Sequence, residues 1–374
     1  MLGMIKAAQI TPSLFNRDAY GAPPIFAADF PDHLRDYRNR KTSQPIFFCG
    51  DALHVLESLP DASVDFVMTS PPYWNKRQYS EGGIGLESTF DGYINNLLAI
   101  THQLRRLLKP TGSFWLNVGD SYVQKQLLSI PWRIAIRLCD DQHWILRNTV
   151  IWNKVKGSPD NTTDKLRNLY EPVFHFVKCT TYYFDADAIR SNPRKARIVN
   201  GSVVSATGVH GVRYRRQIEL STDLTEAEKH NAFIALAQTL QQVQEGRLGD
   251  FRMIIRRQQR TTHSDSELLS GRAKELRDKG FYFLKYHPKG SKPSDVWDII
   301  PEDTQNRAEH FAPYPEDLCR IPLLATCPQD GLALDPFCGT GTTNVAAHRL
   351  SRKSIGIDIA LSYLKTCYER SRSV

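Results

Sequence analysis

The sequence predicts an α/β protein with a doubly wound, mostly parallel sheet that is interrupted by an inserted region. Short apolar segments, typical of strands buried on both faces, end at acidic or polar residues. Segments with helical periodicity lie between them, and this alternation is typical of βαβ crossovers. Between about residues 190 and 290 the alternation stops and arginines become frequent, which predicts an inserted, mainly helical domain.

The apolar segments of the first half predict the early strands of the sheet. They cover residues 46–49, 64–68, 113–118, 150–152 and 173–177. We expect the last two to form an antiparallel pair that closes the sheet. A helix-period series of apolar residues from Tyr93 to Leu108 predicts a helix, which Pro110 and Gly112 are expected to stop.

These patterns also predict the domain organisation. The expected parts are an N-terminal arm over residues 1–44, the first part of the α/β domain over 45–189, the inserted domain over 190–290 and the second part over 291–374. Inside the inserted domain, Thr225 and Glu228 predict a capping box at the start of a helix that ends before Gly246. Ser264 and Glu267 predict a second helix start of the same kind.

The composition is typical of a globular protein with a modest preference for anionic partners. The formal net charge is +8, which alone is weak support for a nucleic-acid partner. The seven cysteines contain no C-x-x-C pair, which favours reduced thiols over disulfides or a zinc site. No apolar segment approaches 18 residues, so we expect no membrane association and a cytoplasmic protein. The histidines lack ligand spacing, and no metal site is predicted.

A glycine turn in the second part predicts a cofactor site. The strand 332–334 ends at Asp335 and is followed by Gly339-Thr340-Gly341 and a helix, an order that brings backbone close to a nucleotide-like ligand. Asp358 ends the next strand, near the spacing of roughly 20 residues at which a carboxylate binds ribose hydroxyls. The third glycine of a dinucleotide fingerprint is absent, which argues against a pyrophosphate ligand. A purely structural turn is the plainer interpretation.

The segment Ser70-Pro71-Pro72-Tyr73 predicts a second site at the end of another strand. Two consecutive prolines lack N–H donors and fix φ, so the strand must stop there. The carbonyl of Ser70 or Pro71, together with the Ser70 hydroxyl, can accept protons from an exocyclic amine and localise its lone pair. Tyr73 can stack on a base that has been flipped out of a duplex. A proline turn without chemistry is the plainer interpretation of the segment alone.

Together these motifs resemble the S-adenosylmethionine-dependent DNA amino-methyltransferases, which modify N4 of cytosine or N6 of adenine. The motif order resembles the β class of that family, in which the catalytic motif precedes the target-recognition region and the cofactor motif comes last. The resemblance covers about residues 45–185 and 291–374. The segments that carry it are 69–74, Trp152-Asn153-Lys154, Tyr170-Glu171-Pro172, 295–299, 310–315 and 335–343.

The resemblance implies roles for individual residues. The turn that holds the methionine part of the cofactor maps onto Asp335, Pro336, Phe337, Gly339, Thr340 and Gly341. The ribose contact maps onto Asp358, and the adenine contact maps onto Asp51 beside Ala52. The catalytic tetrapeptide maps onto Ser70, Pro71, Pro72 and Tyr73. The motif order also implies a circularly permuted sheet, with the strand at 45–50 beside the strand that ends at Asp358.

Serine in the first catalytic position indicates cytosine N4, with adenine N6 as the alternative. The expected protein is a site-specific enzyme that methylates a flipped cytosine and protects host DNA from a cognate restriction endonuclease acting on the same site. No direct contact with that nuclease is required. We expect a monomer or dimer on double-stranded DNA at the nucleoid of a bacterium or archaeon. An RNA-base or protein-glutamine methyltransferase, and a catalytically inactive DNA-binding protein, are further alternatives.

Residues 190–290 are where the resemblance places target recognition. Arg252, Arg256 and Arg260 are expected on one helical face, with Arg257 beside them. Arginine can bind guanine O6 and N7 or phosphates, although a solvated charged face is the plainer interpretation. The whole interpretation depends on one spatial expectation, that the loops after Met68 and Leu334 open at the same place on neighbouring strands.

Overall fold

The computed structural model describes residues 25–26, 30–76, 83–157, 161–193, 195–200, 202–206, 208–209, 211–257, 271–301 and 314–373. The strands are β1 (Ile25–Phe26), β2 (Ile46–Cys49), β3 (Val64–Thr69), β4 (Leu108–Asn117), β5 (Tyr122–Val123), β6 (Gln126–Leu127), β7 (Ile145–Asn153), β8 (Tyr170–Val177), β9 (Arg197–Val199), β10 (Ser202–Val204), β11 (Asp250–Ile255), β12 (Phe281–Tyr286), β13 (Val296–Asp298), β14 (Leu332–Asp335) and β15 (Lys353–Asp358). The helices are α1 (Phe30–Asn39), α2 (Ala52–Ser58), α3 (Phe90–Leu107), α4 (Ile130–Gln142), α5 (Gly211–Glu219), α6 (Glu226–Gln244), α7 (Gly271–Lys279), α8 (Glu316–Thr326), α9 (Thr342–Arg349) and α10 (Leu361–Arg372).

The chain divides into two compact units. Unit 1 contains Met1–Asp185 and Ser294–Val374, and unit 2 contains Ala186–Pro293. The region expected as an inserted domain, 190–290, lies within unit 2. The strands and helices that carry the cofactor and catalytic motifs all lie in unit 1.

Unit 1 is built on one mixed sheet with the strand order β1-β2-β15-β14-β3-β4-β8-β7-β13. The strands from β1 to β4 in this order are parallel, and β8 is antiparallel to both of its neighbours. The predicted antiparallel pair therefore exists as β7 and β8, although β13 adds a further parallel strand beyond it. The implied permutation is confirmed, because β2 pairs directly with β15.

Helices cover both faces of this sheet. Residues of α1, α2, α3 and α4 share one apolar cluster, while residues of α8 and α9 share another on the opposite face. Strand β3 supplies both clusters, since Val67 packs into the first and Phe66 and Met68 pack into the second. This burial on both faces explains why three consecutive residues of the strand, Phe66, Val67 and Met68, are all apolar.

The helix expected to stop at Pro110 and Gly112 ends earlier. Helix α3 ends at Leu107, and β4 begins at the next residue, so both predicted stop residues lie inside a strand. Gly112 is required there, because a Cβ at this position would lie 2.7 Å from the carbonyl oxygen of Asp65 on the neighbouring strand. The expectation was wrong because proline and glycine can also mark a strand start.

Part of the expected N-terminal arm belongs to the core of unit 1. Helix α1 buries Phe30, Leu34 and Tyr37 in the same cluster as α2 and α3. The Tyr37 hydroxyl also accepts a hydrogen bond from Ser354 N in β15 at 3.0 Å. Burial raises the pKa of Tyr37 to about 12. The spacing of these three residues is helical, and the prolines around them obscured that signal.

Unit 2 contains the predicted helix at residues 226–244 and strands that the sequence did not predict. Thr225 and Glu228 form the predicted capping box at the start of α6. Strand β9 pairs with β10, and β11 pairs with β12, both antiparallel. The apolar core of this unit joins α5 and α6 to β11. The predicted helix start at Ser264 and Glu267 lies outside the described residues.

Candidate active site

The candidate site lies at the carboxyl edge of the sheet, where the order of strands reverses. From β3 the chain crosses through α3 to β4 on one side, and from β14 it crosses through α9 to β15 on the other. Strands β3 and β14 are neighbours, with Val67 beside Leu334. In open α/β sheets, ligands bind at such a switch point, because the loops that leave two adjacent strands diverge there.

The two predicted motifs meet at this point. Thr69 Oγ1, directly before the catalytic segment, donates to Asp335 Oδ1 at 2.6 Å. The same carboxylate accepts from Thr343 Oγ1 at 2.7 Å, from Phe337 N at 3.1 Å and from the Tyr314 hydroxyl at 3.0 Å. Asp335 is only 1% exposed. Its carboxylate therefore ties the two loops together, and this explains the buried aspartate at the strand end.

The environment of Asp335 also affects its protonation. Burial raises the pKa of its carboxyl group above the ordinary value, while the hydrogen bonds from Thr69, Thr343 and Phe337 act in the opposite direction. Four donors around one buried carboxyl group allow it to be buried without an unpaired oxygen. Through these hydrogen bonds, Asp335 stabilises the conformation of the glycine turn from its buried side.

The glycine turn has the backbone conformation that its sequence predicts. Gly339 has φ +51° and Gly341 has φ +79°, in the left-handed region that favours glycine. A Cβ on Gly341 would also lie 2.9 Å from Cys367 Sγ. Asp358 Oδ2 accepts from Gly339 N at 2.9 Å, and its Oδ1 accepts from Ala360 N at 2.8 Å.

The residues expected at the adenosine part of a cofactor lie on the next two strands. Asp358 ends β15 beside Cys49 of β2, and Gly50 N donates to the Asp358 carbonyl at 3.1 Å. Asp51 is exposed and caps α2 by accepting from His54 N at 3.2 Å, while Ala52 is buried. The two acidic side chains therefore stand at the ends of adjacent strands, where a ribose and a base of one ligand could both be reached.

The Ser70–Tyr73 segment is held by hydrogen bonds to and from the hydroxyl of its tyrosine. Ser70 Oγ donates to the Tyr73 hydroxyl at 3.3 Å. That hydroxyl lies 2.8 Å from Glu171 Oε2 and 3.2 Å from Asn117 Oδ1. Burial first, and the Glu171 carboxylate next, raise the pKa of Tyr73 well above its usual value. Tyr73 therefore remains a neutral phenol and can donate at physiological pH.

A second loop braces the catalytic segment from outside. Trp74 Nε1 donates to the Glu87 carbonyl at 2.9 Å, and Asn75 N donates to the Gly85 carbonyl at 2.9 Å. Gly85 has φ +101°, and a Cβ there would lie 3.2 Å from the Tyr73 carbonyl oxygen. On the other side, a Cβ on Gly119 would lie 2.4 Å from Tyr73 Cε2. The ring of Tyr73 therefore packs directly against the backbone of Gly119, where a side chain would clash with it.

Three residues of this cluster, Asn117, Lys154 and Glu171, had no role predicted from the sequence. Asn117 ends β4, Glu171 is the second residue of β8 and Lys154 follows β7, so the sheet brings all three to the edge where the Ser70–Tyr73 segment lies. Lys154 Nζ lies 2.5 Å from Glu171 Oε1 and 4.9 Å from the ring centre of Trp152. The available signal was that Lys154 and Glu171 belong to segments that carry the family resemblance.

The arginines expected to read DNA do not share a helical face. Arg252 lies in strand β11 and is exposed, while Arg256 and Arg257 lie in the turn that follows. Arg256 donates to Glu228 Oε2 at 3.0 Å and to the Asp223 carbonyl at 2.7 Å, so it stabilises the start of α6. Arg260 lies outside the described residues. The predicted helix was wrong because β11 pairs with β12 over its whole length.

Neither a metal site nor a membrane span is found in the part of the chain that the structure describes. No group of three or more potential metal ligands occurs among those residues. None of the described helices is both long and apolar enough to span a bilayer.

The known proteins that this chain is similar to, in sequence and in structure, agree with one another. The sequence model of a family described as DNA methylase, covering N6 and N4 enzymes, matches residues 64–369. The type II methyltransferase M.SfiI of Streptomyces fimbriatus is 30% identical over 85% of this chain and 88% of its own. The type II methyltransferase M.SmaI of Serratia marcescens is 26% identical over 86% and 88%. The solved PvuII DNA methyltransferase, described as cytosine-N4-specific, has a TM-score of 0.53 at 17% identity, covering 94% of this chain and 89% of that one.

Proposed function

The chain belongs to the N6/N4 DNA methylase family, and from this membership we propose that it methylates N4 of a cytosine flipped out of duplex DNA at a specific sequence. Enzymes of this family transfer methyl groups from S-adenosylmethionine. DNA methylation is thus its reaction class, and the choice of base and of target sequence is the proposed part.

One observation supports the proposal above the others. The hydrogen bond between Thr69 and Asp335 joins the loop that carries Ser70-Pro71-Pro72-Tyr73 to the loop that carries the glycine turn. A methyl transfer between two bound molecules needs both loops within reach of one point. Loops on opposite edges of the sheet would have contradicted it.

The residues at this edge fit S-adenosylmethionine, which supplies an electrophilic methyl group on a sulfonium when bound. Gly339 and Gly341 allow the left-handed backbone of the turn, and the Asp358 carboxylate lies against this turn through its hydrogen bond from Gly339 N. Exposed Asp51 offers a carboxylate one strand further. We propose these contacts, together with Ala52 and the Pro336-Phe337 and Thr340 backbone, as the cofactor site.

The catalytic segment supplies acceptors for the target amine. The amine of a nucleobase is a poor nucleophile, because its lone pair is delocalised into the ring. The carbonyl of Ser70 or Pro71 and the Ser70 hydroxyl would accept its hydrogens and localise that lone pair toward the methyl group. Tyr73 would stack on the flipped base, which offsets part of a flipping cost of a few kcal/mol. With the cofactor bound, the amine nitrogen would form a bond to the methyl carbon as the sulfur–carbon bond breaks, and one amine proton would leave to solvent.

Serine at position 70 supports cytosine N4 over adenine N6, because adenine enzymes of the family mostly have Asp or Asn there. The cytosine-N4 description of the PvuII enzyme belongs to that protein and is consistent with the proposal. Nucleoside mass spectrometry of plasmid methylated by the purified protein tests the base. We expect N4-methylcytosine, and N6-methyladenine without N4-methylcytosine would reject the assignment.

The variants Ser70→Ala and Tyr73→Ala separate an enzyme from an inactive DNA-binding protein of the same fold. Both are expected to lose most methyl transfer, because they remove an acceptor and a stacking surface, and to retain cofactor binding. Transfer of labelled methyl groups and calorimetric cofactor affinity measure the two properties. Normal turnover in both variants would contradict the mechanism.

We also propose that unit 2 contains the target-recognition residues and that methylation protects DNA from a restriction endonuclease that cuts the same site. Exposed Arg252 and Arg257 are the proposed DNA contacts of that unit. The enzyme is proposed to act as a monomer or dimer. Sequencing of methylated host DNA would give the target sequence, and labelled-methyl transfer to duplex DNA but not to transfer RNA is expected.

A further inference from the structure

We infer that Glu171 is a positioning residue for the methyl transfer: its carboxylate fixes the direction of the hydrogen bonds through Tyr73 to Ser70, so that Ser70 Oγ faces the target amine as an acceptor. The inference rests on the proposed function. It assigns a task to a carboxylate that is linked to Ser70 through the side chain of Tyr73.

The cluster is assembled from four separate segments at one edge of the sheet. Ser70 and Tyr73 follow β3, Asn117 ends β4, Lys154 follows β7 and Glu171 is the second residue of β8. Because β8 runs antiparallel to β4 and β7, its amino end lies beside their carboxyl ends. Pairing of Trp152 with Glu171 fixes that position in the strand register.

Both carboxylate oxygens of Glu171 accept hydrogen bonds from neighbouring side chains. Its Oε1 accepts from Lys154 Nζ at 2.5 Å, and its Oε2 is 3.2 Å from Asn117 Nδ2. The Asn117 amide also donates to the Pro172 carbonyl at 3.3 Å, which fixes its orientation with the nitrogen toward Glu171. The glutamate side chain is only 15% exposed and the lysine 27%, so water screens the pair weakly.

The charge determines which way the tyrosine proton points. An ionised carboxylate can only accept, and Tyr73 has one proton to donate. The Tyr73 oxygen is 2.8 Å from Glu171 Oε2 but 3.2 Å from Asn117 Oδ1, so the proton points at the carboxylate. Hydrogen bonds to charged acceptors are shorter and stronger than neutral ones. The lone pairs of the Tyr73 oxygen are then available to accept.

The last link determines the state of Ser70. With the Tyr73 proton directed to Glu171, the Ser70 hydroxyl donates its own proton to the Tyr73 oxygen at 3.3 Å. Both lone pairs of Ser70 Oγ then remain for the hydrogens of an incoming amine. Without the carboxylate, Tyr73 could donate to Ser70 instead. Ser70 would then be free to point its own proton at the amine nitrogen and occupy the lone pair that must attack the methyl group.

The variant Glu171→Gln tests this role, because it keeps the size of the side chain and removes its charge. The expected result is a fall of roughly 10- to 100-fold in the single-turnover methylation rate, the effect of one hydrogen bond to a charged group. Affinities for S-adenosylmethionine and for DNA, and the fluorescence rise of 2-aminopurine at the target position, should change less than about twofold. Full activity in Glu171→Gln would overturn the inference.

The variant Tyr73→Phe interrupts the same chain one residue nearer to Ser70 while keeping the aromatic ring. It should show a similar loss, and adding Glu171→Gln to it should cause no further loss, because no hydroxyl remains to be oriented. Multiplied losses in the double variant would show that Glu171 acts independently of Tyr73 and would overturn the inference. If Glu171→Gln does not fold, full activity of Tyr73→Phe would overturn it equally.

The pair Lys109 and Asp65 offers a matched control. Its nitrogen–oxygen distance is 2.7 Å, and its side chains are 32% and 13% exposed, close to the values for Lys154 and Glu171. Asp65 lies at the opposite edge of the sheet, near the start of β3. Asp65→Asn should therefore keep the wild-type rate. If wild-type protein methylates no DNA base, the proposed function fails; if only the Glu171 effects are missing, the inference alone fails.

Discussion

Gly119 and Tyr73 fit tightly against each other at the edge of the sheet that carries the candidate site. A Cβ on Gly119 would stand 2.4 Å from Cε2 and 2.7 Å from Cδ2 of the tyrosine ring. Neither distance is compatible with a normal contact, so one of the two residues would have to move. The ring cannot move without stretching its hydroxyl contacts to Glu171 and Asn117.

The variant Gly119→Ala is therefore expected to displace the Tyr73 ring. We expect the methylation rate to fall roughly 10- to 100-fold, because a misplacement of about 1 Å at a reacting group has effects of that size. Cofactor affinity should stay unchanged, since the glycine turn lies on another strand. Single-turnover kinetics and calorimetry measure the two quantities. An unchanged rate would mean that the ring position is not critical.

His175 shows how one element, strand β8, combines packing with a titratable group. Its ring is stacked on Trp115 at 4.2 Å with an angle of 2°, and its Nε2 lies 3.0 Å from Ser113 Oγ. Burial, and next the charge of Arg147, lower its pKa to about 3. The imidazole is therefore a neutral part of the core of unit 1 at physiological pH.

This histidine should make the stability of unit 1 depend on pH. Between its ordinary pKa near 6.5 and about 3, the unfolded chain binds one proton that the folded chain does not. The free energy of unfolding should thus fall by about 1.4 kcal/mol per pH unit as the pH drops through this range. His175→Phe should remove that part of the slope. Urea unfolding followed by tryptophan fluorescence reports on unit 1 alone, because all six tryptophans lie there. Parallel slopes for both proteins would contradict the assignment.

The sequence predicted elements well where one pattern had one structural meaning. The short, mostly apolar segments at 46–49 and 64–68 became β2 and β3, because apolar segments of this length are typical of strands buried on both faces. The arginine spacing in unit 2 was ambiguous. Residues four apart share a face of a helix, but they also share a face of a strand with a period of two. Arg252 lies in a strand and not in a helix, because residues 250–255 pair with β12.

At the scale of the whole molecule, unit 2 begins and ends at adjacent points of its own backbone. Ser191 N donates to the Ser291 carbonyl at 2.8 Å, and Arg190 donates to the Gly290 carbonyl at 2.9 Å. Lys289 and Arg190 both pair with Asp187. The two connections to unit 1 are thus held side by side, as in a domain inserted into a loop.

Replacement of Ala186–Pro293 by a short glycine-serine linker should therefore leave unit 1 folded. Because its sheet and both apolar clusters lie outside the deleted range, S-adenosylmethionine affinity should stay within a few-fold of the full chain. Sequence-specific DNA binding should be lost. Calorimetry and gel-shift competition between target and random duplexes test the two statements. If the shortened protein still distinguishes the target duplex from random duplexes, the target-recognition residues must lie outside unit 2.

The candidate site was predictable only in the parts that are local in sequence. The Ser70–Tyr73 segment and the Asp335–Gly341 turn each carry their own signal, and the parallel-sheet prediction placed both at one edge. Glu171 could not be assigned a role in the same way, because its partner Tyr73 is 98 positions away. Contact between them depends on the register of β8 against β4 and β7, and no short segment of sequence contains that register.

The position of β14 and β15 has a consequence for synthesis on the ribosome. These strands come late in the chain, yet they lie between β2 and β3, which are made early. While translation proceeds from residue 70 to residue 332, the early strands have open, hydrogen-bonding edges and no neighbours between them. The centre of the sheet is thus completed after its flank, and nascent chains halted before β14 should be strongly dependent on chaperones.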